Sequence, residues 1–500
     1  MGKTRKRLLA ALGVAAFVAA STVSNSAFAV NQSCMVAPNL SDGSTSTQIL
    51  ANAVTLTQTN FEPGVANNGP YNAKFTIAAS SLSKVDFKAT TSKVGEYSQQ
   101  ALLAENINAL VYVNTDYYNE GTRMPYSAMI VNGKLIYAPR EPTNVVGVST
   151  SPFDPKNPYS GVSNFKAGTI SFNVSGVNQP SLSGSSFASA YTPVAAVTSL
   201  PANSAAVLLV NNVVSKLYVS GTKVRPKSGI LIIANGTPAS RIKKLKLGQR
   251  VSYKLPAAPA VVTEMVADRV WAYGKARSKT KVLTIRAVNY ESTGSGITLF
   301  DSNFTKSRAT TQGSFTIVLD STNRVIKKYW GGSPVVVPAG GSVLQLGSDG
   351  EAFYRDALTW STLVIENDYK TVSGKKITSA SGRGNKILDR GVNIEVCDDR
   401  SEQIRPRTSI AWNNATGKIW LATTSSGVNM NDFGFRQGGS TIHQLGDVLS
   451  SLGATDAVTV DGGGSTTFFA KILGRYKRLD VPDDAWIREI PIGVGLVPKP

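Results

Sequence analysis

Apolar positions in this chain alternate, or run in short β-branched and aromatic blocks, more often than they recur at helical spacing. That pattern predicts strands as the main element and helices as the exception. Lys74-Phe75-Thr76-Ile77-Ala78 and Val85-Asp86-Phe87-Lys88-Ala89 read as strands. Leu102, Leu103 and Ile107 share one face of a short helix expected over 98–109, which leads into the apolar strand Leu110-Val111-Tyr112-Val113. That strand runs out into Asn114-Thr115-Asp116-Tyr117-Tyr118. Ala128–Val131 and Lys134–Tyr137 flank Asn132-Gly133, a strong signature of a tight hairpin.

The last third is denser in signals. A glycine loop, Ser381-Gly382-Arg383-Gly384, precedes the short strand Lys386-Ile387-Leu388. Arg405-Pro406-Arg407-Thr408 leads into the strand Ser409–Trp412, the chain turns over 413–417, and Lys418–Thr423 returns. Thr441 and Gln444 have the spacing of a capping box. Behind them Ile442, Leu445, Val448, Leu449 and Leu452 form one buried helical face, and Gly453 ends it. Two strands, Ala457–Val460 and Thr467–Ala470, then bracket Asp461-Gly462-Gly463-Gly464-Ser465-Thr466.

Two other regions differ in texture. Residues 30–70 are rich in Ser, Thr, Asn and Gly and read as an extended, mobile N-terminal arm, with structure beginning near Tyr71. Residues 141–365 carry an internal repeat. Val177-Asn178 recurs 111 residues later as Val288-Asn289, and the turn Pro226–Gly229 recurs 112 residues later as Pro338–Gly341. An apolar strand precedes each turn, at 206–210 and 315–319, so two related β-rich units are expected to superpose.

Composition changes the picture at three points. Lys3, Arg5, Lys6 and Arg7, an apolar run over 8–20 and Ala27-Phe28-Ala29 make residues 1–29 a signal peptide, and the mature chain is expected to be exported. The formal net charge is +20, and removing the four basic leader residues leaves +16. For an exported chain this favours an anionic wall polymer or phosphorylated glycan over nucleic acid, for which no recognition helix or aromatic-basic motif speaks. No later segment is long and apolar enough for stable membrane insertion. Cys34 and Cys397 are the only cysteines, and one disulfide between them is the economical reading. Two cysteines and one histidine, His443, exclude a usual zinc site, so no metal and no cofactor is assigned and a divalent cation stays open.

The loop after Val460 holds the most specific chemistry. Three consecutive glycines let backbone N–H groups approach an anion, and Asp461 stands rigidly beside them. Asp116 leaves a second strand end and offers a partner carboxylate, with a turn cap as its structural alternative. Arg407 offers a planar fork for phosphate, with a structural ion pair as its alternative, and Arg383 is a weaker candidate for lining the site.

These motifs in their order, Arg-Thr, a hairpin, Gly-x-Ser/Thr, an amphipathic helix, Leu-Gly-Ala and Asp-Gly-Gly-Gly-Ser-Thr, resemble the phosphodiester glycosidase family. Asn114–Tyr118 is similar to that family's upstream Asn-Gly-Asp-Phe-Phe element, and Ile487-Arg488-Glu489 to its closing Arg segment. Three positions depart from the pattern: Thr115 for Gly, Gln444 for a frequent Glu, and Thr424-Ser425-Ser426-Gly427 for Asp-Gly-Arg. The resemblance covers about 70–140 and 375–497. It implies hydrolysis of a glycosyl-1-phosphate diester in a wall glycopolymer or exopolysaccharide. Asp461 and Asp116 would be catalytic, and Asn114, Arg407, Thr408, Gly462, Gly463, Gly464, Ser465, Thr466 and Arg383 would bind substrate phosphate. A binding protein for phosphorylated wall glycans is the alternative. The expected fold is α+β, a mixed, predominantly β core with few helices. Its discontinuous catalytic domain, 71–140 and 366–500, would hold the duplicated β-rich region 141–365 as an insertion.

Overall fold

The computed structural model describes residues 34–500 other than 62–72, 95, 97, 153–158, 178–185, 187, 193–199, 201–202, 220–227, 256–260, 291–294, 306–312, 332–334, 399–401, 427–437 and 481–487. The leader with its cleavage site, Tyr71, Asn178, Pro226, Lys227, Gly427 and Ile487 therefore lie outside the described residues. Among the described residues the strands gather into five sheets, and α-helices are limited to Gln100–Asn106, Gly236–Ile242, Glu351–Asp356 and Ile442–Ser451. The chain is thus predominantly β, as its apolar pattern predicts.

Two sheets carry the candidate site. The first has eight strands in the order Ser44–Leu50, Val54–Phe61, Ala73–Ser81, Lys418–Ser425, Arg407–Asn413, Asp456–Thr459, Lys386–Asp389 and Val392–Asn393. The second has five, Arg475–Arg478, Phe468–Ile472, Val111–Asn114, Ile492–Pro498 and Val85–Thr91. Strand alternation decides how they meet. Ile410, Leu421 and Val458 leave one face of the first sheet and join Val111, Val113, Phe468 and Val494 in one buried cluster. The intervening Ala411, Ala422 and Ala457 leave the other face and pack under Leu445, Val448 and Leu449 of the helix Ile442–Ser451. Small residues there let the helix lie close to the sheet. Its capping box forms: the Gln444 N–H donates to the Thr441 hydroxyl and the Thr441 N–H to the Gln444 side chain, both at 3.0 Å.

The expectation of a mobile arm over 30–70 is corrected over 44–61. Those residues form the hairpin Ser44–Leu50 and Val54–Phe61 at the edge of the eight-stranded sheet. Threonine is the reason. It is polar by composition but β-branched by shape, so a sequence that reads as loop forms a strand with Val54 and Leu56 in the core on one face of the sheet and Phe61 in the core on the other. Before the hairpin, Cys34 is joined to Cys397, with Cα atoms 5.4 Å apart, as the two lone cysteines suggest.

The two units have the same strand order. The first unit's sheet runs Val213–Val219, Ala205–Val210, Ile230–Ala234, Ala188–Tyr191, Ile170–Val177, Tyr159–Ala167, Ser252–Tyr253. The second runs Val325–Trp330, Phe315–Leu319, Ser342–Leu346, Ile297–Phe300, Val282–Val288, Gly274–Arg277, Val364–Glu366. Corresponding strands hold the same place in chain order and in sheet order, and each unit has one parallel pair at the same step. The region as a whole is less separate than an insertion would be. Thr143–Pro152 and Val261–Ala272 pair antiparallel across the base of the first unit. Both belong to a six-stranded sheet with Met129–Val131, Lys134–Tyr137 and Ile377–Gly382. The second unit's Ile285, Ile317 and Leu344 share one core cluster with Ala128, Ile130 and Leu135.

The repeated turn has a steric cause. A Cβ added at Gly341 would collide with the carbonyl oxygen of Leu319, and one at Gly229 with that of Leu209, its counterpart in the first unit. The obstruction is backbone and cannot rotate away. Gly341→Ala should therefore destabilise the protein by about 1–3 kcal/mol in denaturant unfolding. An unchanged midpoint would show that this turn yields freely.

Candidate active site

The site is assembled where strand ends of the two site-bearing sheets meet. Val111–Asn114 is fully buried and delivers Asn114, whose side chain is the junction. Its Nδ2 donates to the backbone carbonyl of Asp461 at 2.7 Å. Its Oδ1 accepts from the Thr408 hydroxyl at 2.9 Å and from the Thr467 N–H at 3.0 Å. Asn114 and Thr408, both expected to bind phosphate, are thus interior positioning groups. Thr467 and Asp461 bracket the glycine loop, so both of its ends are pinned to one carboxamide.

The loop forms a 3-10 turn over Gly463–Ser465. Here the expected anion cradle is corrected. The Gly463 N–H donates to Pro406 O, the Ser465 N–H to Gly462 O and the Thr466 N–H to Gly463 O. The Gly462 N–H and the Ser465 hydroxyl instead bond the Asp461 carboxylate. These four positions, Gly462, Gly463, Ser465 and Thr466, organise the loop and the acid through their N–H and O–H groups. Behind the turn, buried Asp480 accepts from Phe468 N–H at 2.6 Å and pairs with Arg478, whose Nη2 donates to Thr466 O at 3.1 Å. This brace has no signal in the local sequence pattern, because Arg478 and Asp480 reach the loop only through strand pairing.

In front of the loop lies a cleft of about 640 Å³, lined by Tyr117, Gly384, Asn385, Gln403, Arg405, Arg407, Ile442, Thr459, Asp461, Gly462 and Gly463. Asp461 and Arg407 are brought to one cavity, as the motif spacing suggests. Arg407 Nη2 donates to Gln403 O at 2.7 Å, and its charge also acts on Glu395. Arg405, which sequence reasoning passed over, is exposed on the same wall and has no acidic partner among the described residues. Its position two residues before Arg407 in an extended segment was the available signal. Arg383 does not line the cleft. It donates to Gly384 O at 2.8 Å, and its other electrostatic neighbour is Asp268.

Asp116 sits beneath the cleft rather than on its wall, and is only 1% exposed. Its φ of 31° places it in the left-handed region, which Asp tolerates better than most residues. Its carboxylate accepts from the Ser127 N–H at 2.8 Å and hydroxyl at 3.0 Å, and it lies against Gly382, where a Cβ would overlap it. Burial nevertheless pushes its pKa up to about 7 against those hydrogen bonds, and the charge of Asp461 adds to the rise. Burial also raises Asp461, to about 6, opposed by the bonds from Ser465 and Gly462 and by the charge of Arg488. Arg488 is itself paired with Glu120 at 3.2 Å. Both acids are thus held above the ordinary carboxylate range mainly by burial, and the charge of Asp461 adds to the rise at Asp116.

The three departures from the family pattern are absorbed by packing. Thr115 pairs its hydroxyl with Ser381 at 2.6 Å, Thr424 with Ser440 at 3.0 Å, and Gln444 closes the capping box. His443 Nδ1 stands 3.3 Å from the Asp447 carboxylate, one helical turn on. Among the described residues the one cluster of metal-type ligands is Cys34, Cys397 and His443, and two of its three members are joined in the disulfide.

Residues 314–497 match the sequence model of the phosphodiester glycosidase family, so this part of the chain resembles that family. The match starts inside the second repeat unit, well before the motifs that suggested it. Among solved structures the chain is similar to the zebrafish N-acetylglucosamine-1-phosphodiester alpha-N-acetylglucosaminidase catalytic domain auto-inhibited by its pro-peptide. That pair is 10% identical, with 91% of this chain and 87% of that chain covered and a TM-score of 0.33. A protein of Burkholderia pseudomallei designated as exported is 14% identical, with 93% and 99% covered and a TM-score of 0.47. A hypothetical protein from Synechocystis is 13% identical with a TM-score of 0.35, and this chain, 91% of it aligned, spans 63% of that one. No curated protein matches the sequence.

A carboxyl raised by burial keeps its proton in the folded chain at pH values where the unfolded chain, with a pKa near 4, has already released it. For Asp116 the stability this contributes is full below about pH 4 and is lost as pH rises towards the folded value of about 7. The melting temperature of the wild type should therefore fall more steeply between about pH 4.5 and 7.5 than that of Asp116→Asn. Parallel curves would show that Asp116 titrates normally.

Proposed function

We propose that the protein is an exported phosphodiester glycosidase that hydrolyses a glycosyl-1-phosphate diester of a wall glycopolymer or exopolysaccharide. The observation that carries this reading is one carboxylate, Asp461, sharing a cavity with two arginines, Arg405 and Arg407. The family resemblance over 314–497 supports it. Residues 1–29 have the pattern of a leader, and the Cys34–Cys397 disulfide suits an oxidising compartment.

The chemistry fits that set of groups. Water attacks the anomeric carbon, its bond to the phosphate oxygen breaks, and the phosphate leaves as a monoester with the bonding electrons. A phosphate monoester is a good leaving group, with its second pKa near 6, so it needs little help from a general acid. It does need cations where its second charge develops. Arg405 and Arg407 would supply them by planar, charge-assisted contacts. Asp461 would face the anomeric carbon, taking a proton from the attacking water once ionised. Asp116 would hold its proton beneath it, sparing the site a second negative charge against an anionic substrate.

Asp461→Asn keeps size and polarity and should abolish hydrolysis of a soluble sugar phosphodiester while the fold is retained. The wild-type rate should rise with pH through about 6 as Asp461 ionises. Arg407→Ala should weaken substrate binding about ten- to hundredfold, the worth of one charge-assisted contact. Equal rates for wild type and Asp461→Asn would remove Asp461 from the mechanism. No turnover by either, with binding preserved, would identify a binding protein for phosphorylated glycans.

A further inference from the structure

The outer strands of the two repeat units, Val213–Val219 and Val325–Trp330, are both sheet edges. An edge is normally blunted by charge, and Lys216 and Arg324, Lys327 and Lys328 provide it. Blunting does not explain the aromatics beside those cations. Ladder register aligns the two outer strands at an offset of 111, since Lys216 pairs with Leu208 just before a register shift as Lys327 pairs with Val318 just before another. That offset carries Lys216 onto Lys327 and Tyr218 onto Tyr329. In both units the lysine lies over the tyrosine ring, at 5.2 and 4.8 Å. The same offset carries exposed Val219 onto exposed Trp330.

The second unit elaborates this edge. Trp330 is 61% exposed although it packs edge-on against Phe315 and Tyr354, with ring centroids 4.9 and 5.8 Å away, and the Arg355 guanidinium lies 5.2 Å from its ring. Lys328 lies over Tyr354 at 4.2 Å. At the other end of the strand the Trp360 N–H donates to Val325 O at 2.7 Å. Trp360 has a φ of 72°, a strained conformation for so bulky a residue, and is 65% exposed with Arg324 at 5.6 Å. Two braced, open indoles thus mark the ends of one strand, roughly 17 Å apart along it at about 3.3 Å per residue, with cations between them. A surface kept only for solubility would not hold a strained tryptophan out in water.

We propose that this edge is a docking platform for an anionic glycan strand, with sugar rings stacked on Trp330 and Trp360 and phosphates on Lys328, which shares the strand face of Trp330, and on Arg324 and Arg355, in exchange for their ion pairs with Asp320 and Glu351. Indole faces suit the apolar faces of sugar rings, and the interleaved cations suit a chain that alternates sugar and phosphate. The net charge of +20 favours any polyanion, whereas paired exposed indoles select one with flat apolar rings. The choice of a glycan rests on the function proposed above. The platform uses none of the cleft residues, so it holds polymer while the cleft acts on one linkage.

The test compares the full chain with Trp330→Ala/Trp360→Ala, using a purified glycosylated poly(glycerol phosphate) as probe, and dextran and a single-stranded oligonucleotide as controls, at fixed salt. The double variant should lose about tenfold or more in polymer affinity. Its circular dichroism spectrum and any hydrolysis of a small soluble sugar phosphodiester should stay at the wild-type level. Trp330→Phe/Trp360→Phe should recover most of the affinity. If the alanine variant fails to fold, Arg324→Gln/Arg355→Gln should show the loss instead. Unchanged polymer affinity, a phenylalanine variant as weak as alanine, or tighter Trp-dependent binding of the oligonucleotide than of the polymer would overturn the platform. A chain that binds polymer through these tryptophans but hydrolyses nothing would leave the platform standing and refute the cleft reading alone.

Discussion

The site depends on one buried carboxamide. Asn114 has both a donor and an acceptor, and it uses them on three different segments: the end of the Asp461 strand, the strand that starts at Arg407, and the strand that leaves the glycine loop. A buried polar group left without its partner costs about 1–3 kcal/mol, so these segments are held to a single arrangement. Neither a hydrophobic residue nor an ionised carboxylate could do the same work, since each lacks the N–H that meets Asp461 O. The glycines then acquire a plain meaning. They let the chain turn tightly enough for Gly463 to reach Pro406 and for the Gly462 N–H to meet the Asp461 carboxylate.

Around that pin, charge is arranged in depth. Cations line the mouth, one acid lines the wall, and a second acid is sealed below it. Burial raises both acids, yet for different ends. Asp461 borders the cleft and is partly offset by Ser465, Gly462 and Arg488, so it can be charged near neutral pH. Asp116 is enclosed by Ser127 and Gly382, and the charge of Asp461 adds to its rise. Depth thus separates the two acids: one borders the cleft and the other is closed off from it.

Much of this was legible from residue pattern alone. The strand before Asp461, the capping box at Thr441 and Gln444, the Asn132-Gly133 hairpin and the repeat all depend on local spacing, which the chain states directly. What stayed hidden depends on partners far apart in sequence. The glycine amides look available until Pro406, brought in by the neighbouring strand, takes one of them. Arg405 looked like a lead-in residue and stands in the cleft, whereas Arg383 looked like a cleft residue and turns towards Asp268. The Thr-rich hairpin over 44–61 was concealed by a different cause, since composition counts threonine as polar and a sheet treats it as β-branched.

The strand Ile492–Pro498 runs between Val111–Asn114 and Val85–Thr91, which touch the rest of their sheet on that side only through it. The strand that presents Asn114 is therefore completed by a neighbour made hundreds of residues later. Contacts of such long sequence separation form slowly, because loop closure must precede any reward from them. Until that neighbour arrives, the junction under Asp461 has no finished sheet to sit on. The junction under Asp461 is in this sense closed only by strands that lie far down the chain from Asn114.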